Sequence, residues 1–231
     1  MLYPVRINKY LADKKICSRR EADLLIKQGK VTINGKKAEL GEMVREADKV
    51  AVEGDLKKLV YLAFNKPEGI ITHSPQGDEV SIGDILKFNQ EVFPLGRIDK
   101  DSRGLIILTN DGRMTDRLLN PLNVHEKEYE VKLALPISEN FLKQMERGVR
   151  LDGGYTTQKC KLKKLDDNSF SIILTEGKKR QIRRMCTSLG YEIVDLKRVR
   201  VMNIELGNLK EGSYRIIFGV EREKFLAGLG L

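Results

Sequence analysis

The sequence predicts an α+β protein in two parts: a small N-terminal α/β module over residues 1–54 and a larger domain over residues 59–231 built on a mixed or antiparallel sheet. Three observations predict it. From Leu59 onward, short apolar strand-like runs alternate with single amphipathic helices. Residues 1–54 carry their own set of two helices and short strands. Between the two, Gly54-Asp55-Leu56-Lys57-Lys58 is polar, short and contains glycine, as a linker does.

In the module, Ile7, Tyr10 and Leu11 fall at helical spacing. Ser18 followed three residues later by Glu21 is a capping-box start for a second helix carrying Ala22, Leu25 and Ile26, which stops at Gly29. Val31-Thr32-Ile33, the turn Asn34-Gly35 and Lys36-Lys37-Ala38 form a hairpin, and Lys49 to Glu53 adds a strand. Residues 1–37 hold ten Lys or Arg against three acidic residues. Arg6, Lys9, Arg19, Arg20 and Lys27 are expected on helices, where as a set they can face a phosphate backbone.

In the larger part, Leu59 to Phe64 reads as a strand closed by Asn65-Lys66-Pro67-Glu68-Gly69. Thr72 to Glu79 is a polar loop, and Ile82, Ile85 and Leu86 mark a short helix. Leu105 to Leu108 is a buried strand with the turn Asn110-Asp111-Gly112 behind it, followed by a helix from Met114 to Leu119. Tyr129, Val131 and Leu133 alternate as in a half-buried strand. Ser138 starts a helix carrying Phe141, Leu142 and Met145 that stops at Gly148. Strands follow at Lys159–Leu162 and Phe170–Leu174, a helix on Ile182, Met185, Cys186 and Leu189, a basic strand over Glu192–Arg200, and a closing helix over Val220–Ala227.

Composition bounds the function. Of the 231 residues 41% are hydrophobic and 32% charged, and the net charge of +9 favours a polyanionic partner, most often nucleic acid. No apolar stretch approaches the roughly 20 residues of a membrane span. Met1 to Arg6 lacks the apolar core of a secretory signal, so a cytoplasmic location and no membrane are expected. Cys17, Cys160 and Cys186 are odd in number and widely spaced, which suggests reduced thiols. With only His73 and His125 and no paired cysteines, no metal site is expected.

Two stretches carry the chemistry. Gly96 and Gly104 bracket Arg97, Asp99, Lys100, Asp101, Ser102 and Arg103 on a loop that feeds the Leu105–Leu108 strand, and a rigid strand holds such a loop still. A carboxylate among these cations is kept ionised. The second is Thr175 to Cys186, where Lys178, Lys179, Arg180, Arg183 and Arg184 gather at the start of a helix.

The first stretch, Gly96-Arg97-Ile98-Asp99-Lys100-Asp101-Ser102-Arg103-Gly104-Leu105, resembles the signature of RNA pseudouridine synthases, in the RsuA/RluB/RluE/RluF branch that acts on single ribosomal RNA uridines. Asn65-Lys66-Pro67-Glu68-Gly69 resembles that family's first motif, Lys127-Glu128-Tyr129-Glu130-Val131 its Tyr-bearing strand, and Gln181-Ile182-Arg183 its third motif. The segments Arg6–Leu11, Cys17–Ala22 and Gly29–Gly35 resemble the RNA-binding module named after a small-subunit ribosomal protein. His125–Tyr129 and Lys179–Cys186 look most like the large-subunit RluF type.

The resemblance implies that the protein isomerises a specific uridine of ribosomal RNA, with the large subunit favoured over the small, as a monomer and without a cofactor. It implies Asp99 as nucleophile, Tyr129 as stacking group and general base, and Arg183 as ion-pair partner of Asp99. Arg97 takes the space the flipped base leaves, and Ile182 packs below that base. Lys66 and Pro67 shape the floor beneath Asp99, and Lys179, Arg180 and Arg184 join the five module cations in contacting RNA. Two other readings stay open at this point: a non-catalytic ribosomal RNA-binding assembly factor, and a metal-dependent phosphodiester hydrolase using Asp99 and Asp101.

Overall fold

The computed structural model describes residues 2–14, 16–53, 58–120 and 122–231. Of the expected linker Gly54–Lys58, all but Lys58 lies outside the described residues. The N-terminal part contains β1 (Val5–Arg6), α1 (Ile7–Asp13), α2 (Arg19–Lys27), β2 (Val31–Ile33), β3 (Lys36–Lys37), β4 (Met43–Val44) and β5 (Val50–Val52). The Ser18 hydroxyl accepts the Glu21 N–H at 3.2 Å and starts α2. Asn34 and Gly35 both take left-handed backbone angles (φ 53° and 80°), as the two-residue hairpin turn between β2 and β3 requires. Ile7, Leu11, Ala22, Ile26, Val31 and Val44 close a core of their own. Arg6 departs from expectation: it sits in β1, paired with Met43, and not on a helix.

The rest of the chain holds β6 (Tyr61–Lys66), α3 (Ile82–Ile85), β7 (Phe93–Leu95), β8 (Arg103–Thr109), α4 (Met114–Leu119), β9 (Lys127–Leu133), α5 (Glu139–Arg147), β10 (Lys161–Lys164), β11 (Ser169–Leu174), α6 (Gln181–Ser188), β12 (Ile193–Val201), β13 (Ile204–Glu205), β14 (Tyr214–Ile216) and α7 (Gly219–Gly228). Among the described residues these strands make one sheet of nine, in the order β10-β11-β9-β12-β8-β6-β14, with β13 on β12 and β7 on β8. Every pairing is antiparallel except β8 with β12, so the sheet is mixed. The parallel pair joins strands some ninety residues apart, and it carries the site.

β8 is apolar without alternation because both of its faces are covered. Leu105 and Ile107 pack with Met114 of α4 and Phe225 of α7, while Ile106 and Leu108 pack with Phe64 and Ile82. A third cluster, of Val131, Leu133, Phe170 and Ile172, is covered by Phe141 and Met145 of α5 and by Ile182 and Met185 of α6. One register row crosses the sheet through Ile172, Tyr129, Arg198, Gly104 and Lys66. Neighbouring strands lie about 4.8 Å apart, so this row places the Tyr-bearing strand roughly 10 Å from the start of β8.

Candidate active site

Asp99 lies on the loop between β7 and β8, half-buried, with the loop backbone held on both sides. Its own carbonyl accepts the Ser102 N–H at 3.1 Å, which closes a tight turn over residues 99–102. The Gly69 N–H donates to the Lys100 carbonyl at 2.8 Å. Lys66 fixes the turn that carries Gly69: fully buried at the end of β6, its amine donates to the carbonyls of Pro67 at 2.9 Å and Ile70 at 2.6 Å. Burial pushes this amine down to about 8, against the opposing fields of Glu68, Asp101 and Asp99. On the near side, the buried Thr72 hydroxyl donates to the Ile98 carbonyl at 2.9 Å and accepts the Ile98 N–H at 3.1 Å.

Gly104 is where this loop enters the sheet. It has φ +107°, and a Cβ built on it would stand 2.3 Å from the Arg198 carbonyl oxygen and 2.7 Å from the Arg198 nitrogen. Only glycine allows β8 and β12 to approach this closely. The seam is stitched by Arg103, which donates two parallel hydrogen bonds to Asp195 at 2.8 and 2.7 Å, and by Arg198, whose Nε donates to the Leu105 carbonyl at 2.7 Å.

Tyr129 is half-buried against the cluster that contains Ile182, and its hydroxyl has no hydrogen-bond partner among the described residues. Ile182 itself is buried within that cluster. α6 begins after Arg180, which adopts a left-handed conformation (φ 52°, ψ 34°) that few non-glycine residues take. From there Arg180 and Arg183, one helical turn apart, both reach the loop. Arg180 donates to the Asp101 carboxylate at 3.0 and 2.7 Å. Arg183 places its Nε 3.3 Å from the same carboxylate, and its terminal nitrogen donates to the Asp101 carbonyl and, at 3.1 Å, to the Ser102 hydroxyl.

This corrects one expectation. Arg183 pairs with the second acid of the loop, Asp101, and Asp99 forms no ion pair among the described residues. Asp101 stands between the two guanidiniums, whereas Asp99 opens the turn, on backbone that Thr72 and Gly69 hold at the neighbouring residues. Arg180 first, and then Arg183, hold the Asp101 carboxyl below the usual carboxylate range. That occupation also removes Asp101 as a free metal ligand, and among the described residues no three His, Cys, Asp or Glu side chains gather around a common point.

The Arg180–Asp101 pair is 42% exposed on both sides, so Asp101→Asn is expected to lower stability by less than about 1 kcal/mol. Because the folded state holds this carboxyl below its unfolded value, the contribution is present at neutral pH and disappears as the pH falls through the lower, folded value. Chemical denaturation of wild type and variant from neutral to acid pH checks this: the gap between them closes in acid.

The cations divide into committed and free. Arg184 donates to the Asp152 carbonyl at 2.7 Å. Arg97, Lys179 and the five module cations Arg6, Lys9, Arg19, Arg20 and Lys27 are exposed and make no ion pair among the described residues. Sequence reasoning passed over two contributors. Arg198 is a buried guanidinium beside Tyr129 in the register row, but in the sequence it is one of several basic residues in a strand. Thr72 lies at the edge of an ordinary polar loop, with no signal of its own.

Residues 60–188 match the family model described as RNA pseudouridylate synthase, a span that contains Asp99, Tyr129 and Arg183. The chain belongs to the RNA pseudouridylate synthase family. Residues 5–50 match the S4 domain. The chain is 46% identical over 217 residues to the dual-specificity RNA pseudouridine synthase RluF of Escherichia coli K12, covering 91% of this chain and 74% of that protein. It is 36% identical to the ribosomal large subunit pseudouridine synthase B of Bacillus subtilis, covering 91% of each. A crystal structure of a pseudouridylate synthase superposes with a TM-score of 0.69 at 30% identity, over 95% of this chain and 99% of that one.

Proposed function

We propose that this family member converts a uridine of ribosomal RNA, in the large subunit first, to pseudouridine, with Asp99 as the nucleophile. The reaction breaks the bond between uracil N1 and the ribose anomeric carbon, turns the base, and joins the same carbon to C5. The C5 hydrogen leaves as a proton and N1 gains one, so atoms and electrons balance without a cofactor. The uracil must leave its stack, which costs a few kcal/mol and is offset by stacking and backbone contacts. Tyr129 offers an apolar ring for the flipped base and an unpartnered hydroxyl as base for the C5 proton. Arg97, exposed and unpaired, fills the gap in the RNA, and Ile182 lies beneath the site.

Arg183 supplies positive charge at the loop through its contacts to Asp101 and Ser102, on the turn that carries Asp99. Arg6, Lys9, Arg19, Arg20, Lys27, Lys179, Arg180 and Arg184 serve the phosphate backbone. The observation that carries this reading is that one family model spans Asp99, Tyr129 and Arg183 together. Relatives named as synthases, matched over nine-tenths of this chain, favour it over a non-catalytic assembly factor.

The test uses RNA transcripts carrying tritium at uracil C5, since forming the new bond at C5 releases the label. Release from large-subunit RNA, and not from small-subunit RNA, is expected, with the site mapped in cells lacking the protein. The name of the RluF relative, a dual-specificity enzyme, favours adding other structured cellular RNAs to the same assay. No release from any of them defeats the reading.

A further inference from the structure

The side chain of Asp99 makes neither a hydrogen bond nor an ion pair with any described residue, so its placement must come from the backbone around it. After Asp99 the backbone is secured by Arg183, at the Asp101 carbonyl and the Ser102 hydroxyl, and by Gly69 at Lys100. Before it, beyond the end of β7 that pairs with β8, the hold falls on Ile98. The Thr72 hydroxyl satisfies both polar groups of Ile98, donating to its carbonyl at 2.9 Å and accepting its N–H at 3.1 Å. A single side-chain oxygen thus does the work of a neighbouring strand for the residue directly preceding Asp99.

The hold is rigid at its own end. Thr72 is 5% exposed and Ile98 9%, with the Ile98 side chain packed against Phe64 and Ile106. The base of the polar loop that Thr72 opens is closed by the Ile71 N–H donating to Val80 at 3.0 Å and the Ile82 N–H donating to Ile71 at 3.0 Å. With both residues nearly buried, loss of the hydroxyl leaves the Ile98 groups short of a partner, and buried backbone groups left unpaired drive the segment to move.

We infer that Thr72 is a positioning residue for the reaction, aiming Asp99 through the backbone of Ile98; this rests on the reading of Asp99 as nucleophile. Thr72 touches no reacting atom. Its hydroxyl sets the angle at which the turn of residues 99–102 leaves the sheet, and a displacement of about 1 Å in a reacting group is enough to cost a hundredfold in rate.

The experiment compares Thr72→Val, which keeps the shape and removes the hydroxyl, with Thr72→Ser, which keeps the hydroxyl. Thr72→Val is expected to lower kcat roughly thirtyfold to a hundredfold, with RNA affinity unchanged, and Thr72→Ser to restore most of the rate. Amide hydrogen exchange at Ile98 is expected to accelerate in Thr72→Val and not in Thr72→Ser. If the valine variant does not fold, Thr72→Ala takes its place with the same expectation. Wild-type kcat in the hydroxyl-free variant, or a serine variant as slow as the valine one, overturns the inference. A wild-type protein inactive on every RNA counts against Asp99 chemistry instead, and the exchange rate at Ile98 then judges the hold alone: no acceleration overturns it.

Discussion

Asp99→Asn is expected to lower the isomerisation rate at least about a thousandfold, a loss of about 4 kcal/mol in transition-state stabilisation, while RNA binds as tightly as before. The two halves of that expectation have separate causes. An amide at residue 99 has no negative charge with which to attack an electron-poor carbon, and no other carboxylate takes its place. Asp101, the only other acid on the loop between Gly96 and Gly104, has its carboxylate occupied by Arg180 and Arg183. Affinity, by contrast, comes from cations meeting phosphates, and Asp99 opposes a polyanion more than it attracts one. The exposed, unpaired cations of the N-terminal part are untouched by the change. Single-turnover rates and RNA titrations on the same preparation separate the two. Activity within tenfold of wild type removes Asp99 from the mechanism, and a parallel fall in affinity shows a disturbed surface.

The parts of the fold that could be read from the sequence are those where one local rule decides. The hairpin turn at Asn34-Gly35 follows because both positions need left-handed backbone, and β8 shows as an unbroken apolar run because the sheet covers it on both faces. β7, β13 and β14 did not show, since two or three residues hold no period and only pairing defines them. The same contrast runs through the site. Resemblance of motifs singled out Asp99, Tyr129 and Arg183, but which acid Arg183 meets depends on where the tip of the turn stands relative to α6, and that is set by long-range packing. Nothing local distinguishes Thr72 from Ser74, or Arg198 from Lys197; their burial, a property of the assembled sheet, does.

Gly104→Ala tests the assembled seam itself. The methyl would enter the peptide plane of Arg198, 2.3 Å from its carbonyl oxygen, at a φ of +107° that L-residues avoid. Left-handed strain contributes about 1–2 kcal/mol and forced overpacking about 1–3 kcal/mol, so the variant is expected to lose about 3 kcal/mol of stability. At roughly 2–4 °C per kcal/mol for a domain of this size, the melting temperature falls by roughly 6–12 °C. Gly69→Ala is the control, because its φ of +81° is similarly unfavourable while a Cβ there meets nothing within 4 Å. It is expected to cost about 1 kcal/mol, from backbone strain alone. The difference between the two variants therefore measures the close approach of β8 to β12, free of the conformational preference of glycine. Equal losses would mean that the parallel pair is not pressed together at Gly104, and the anchoring of the Asp99 loop would then have to come from Thr72, Gly69 and Arg183.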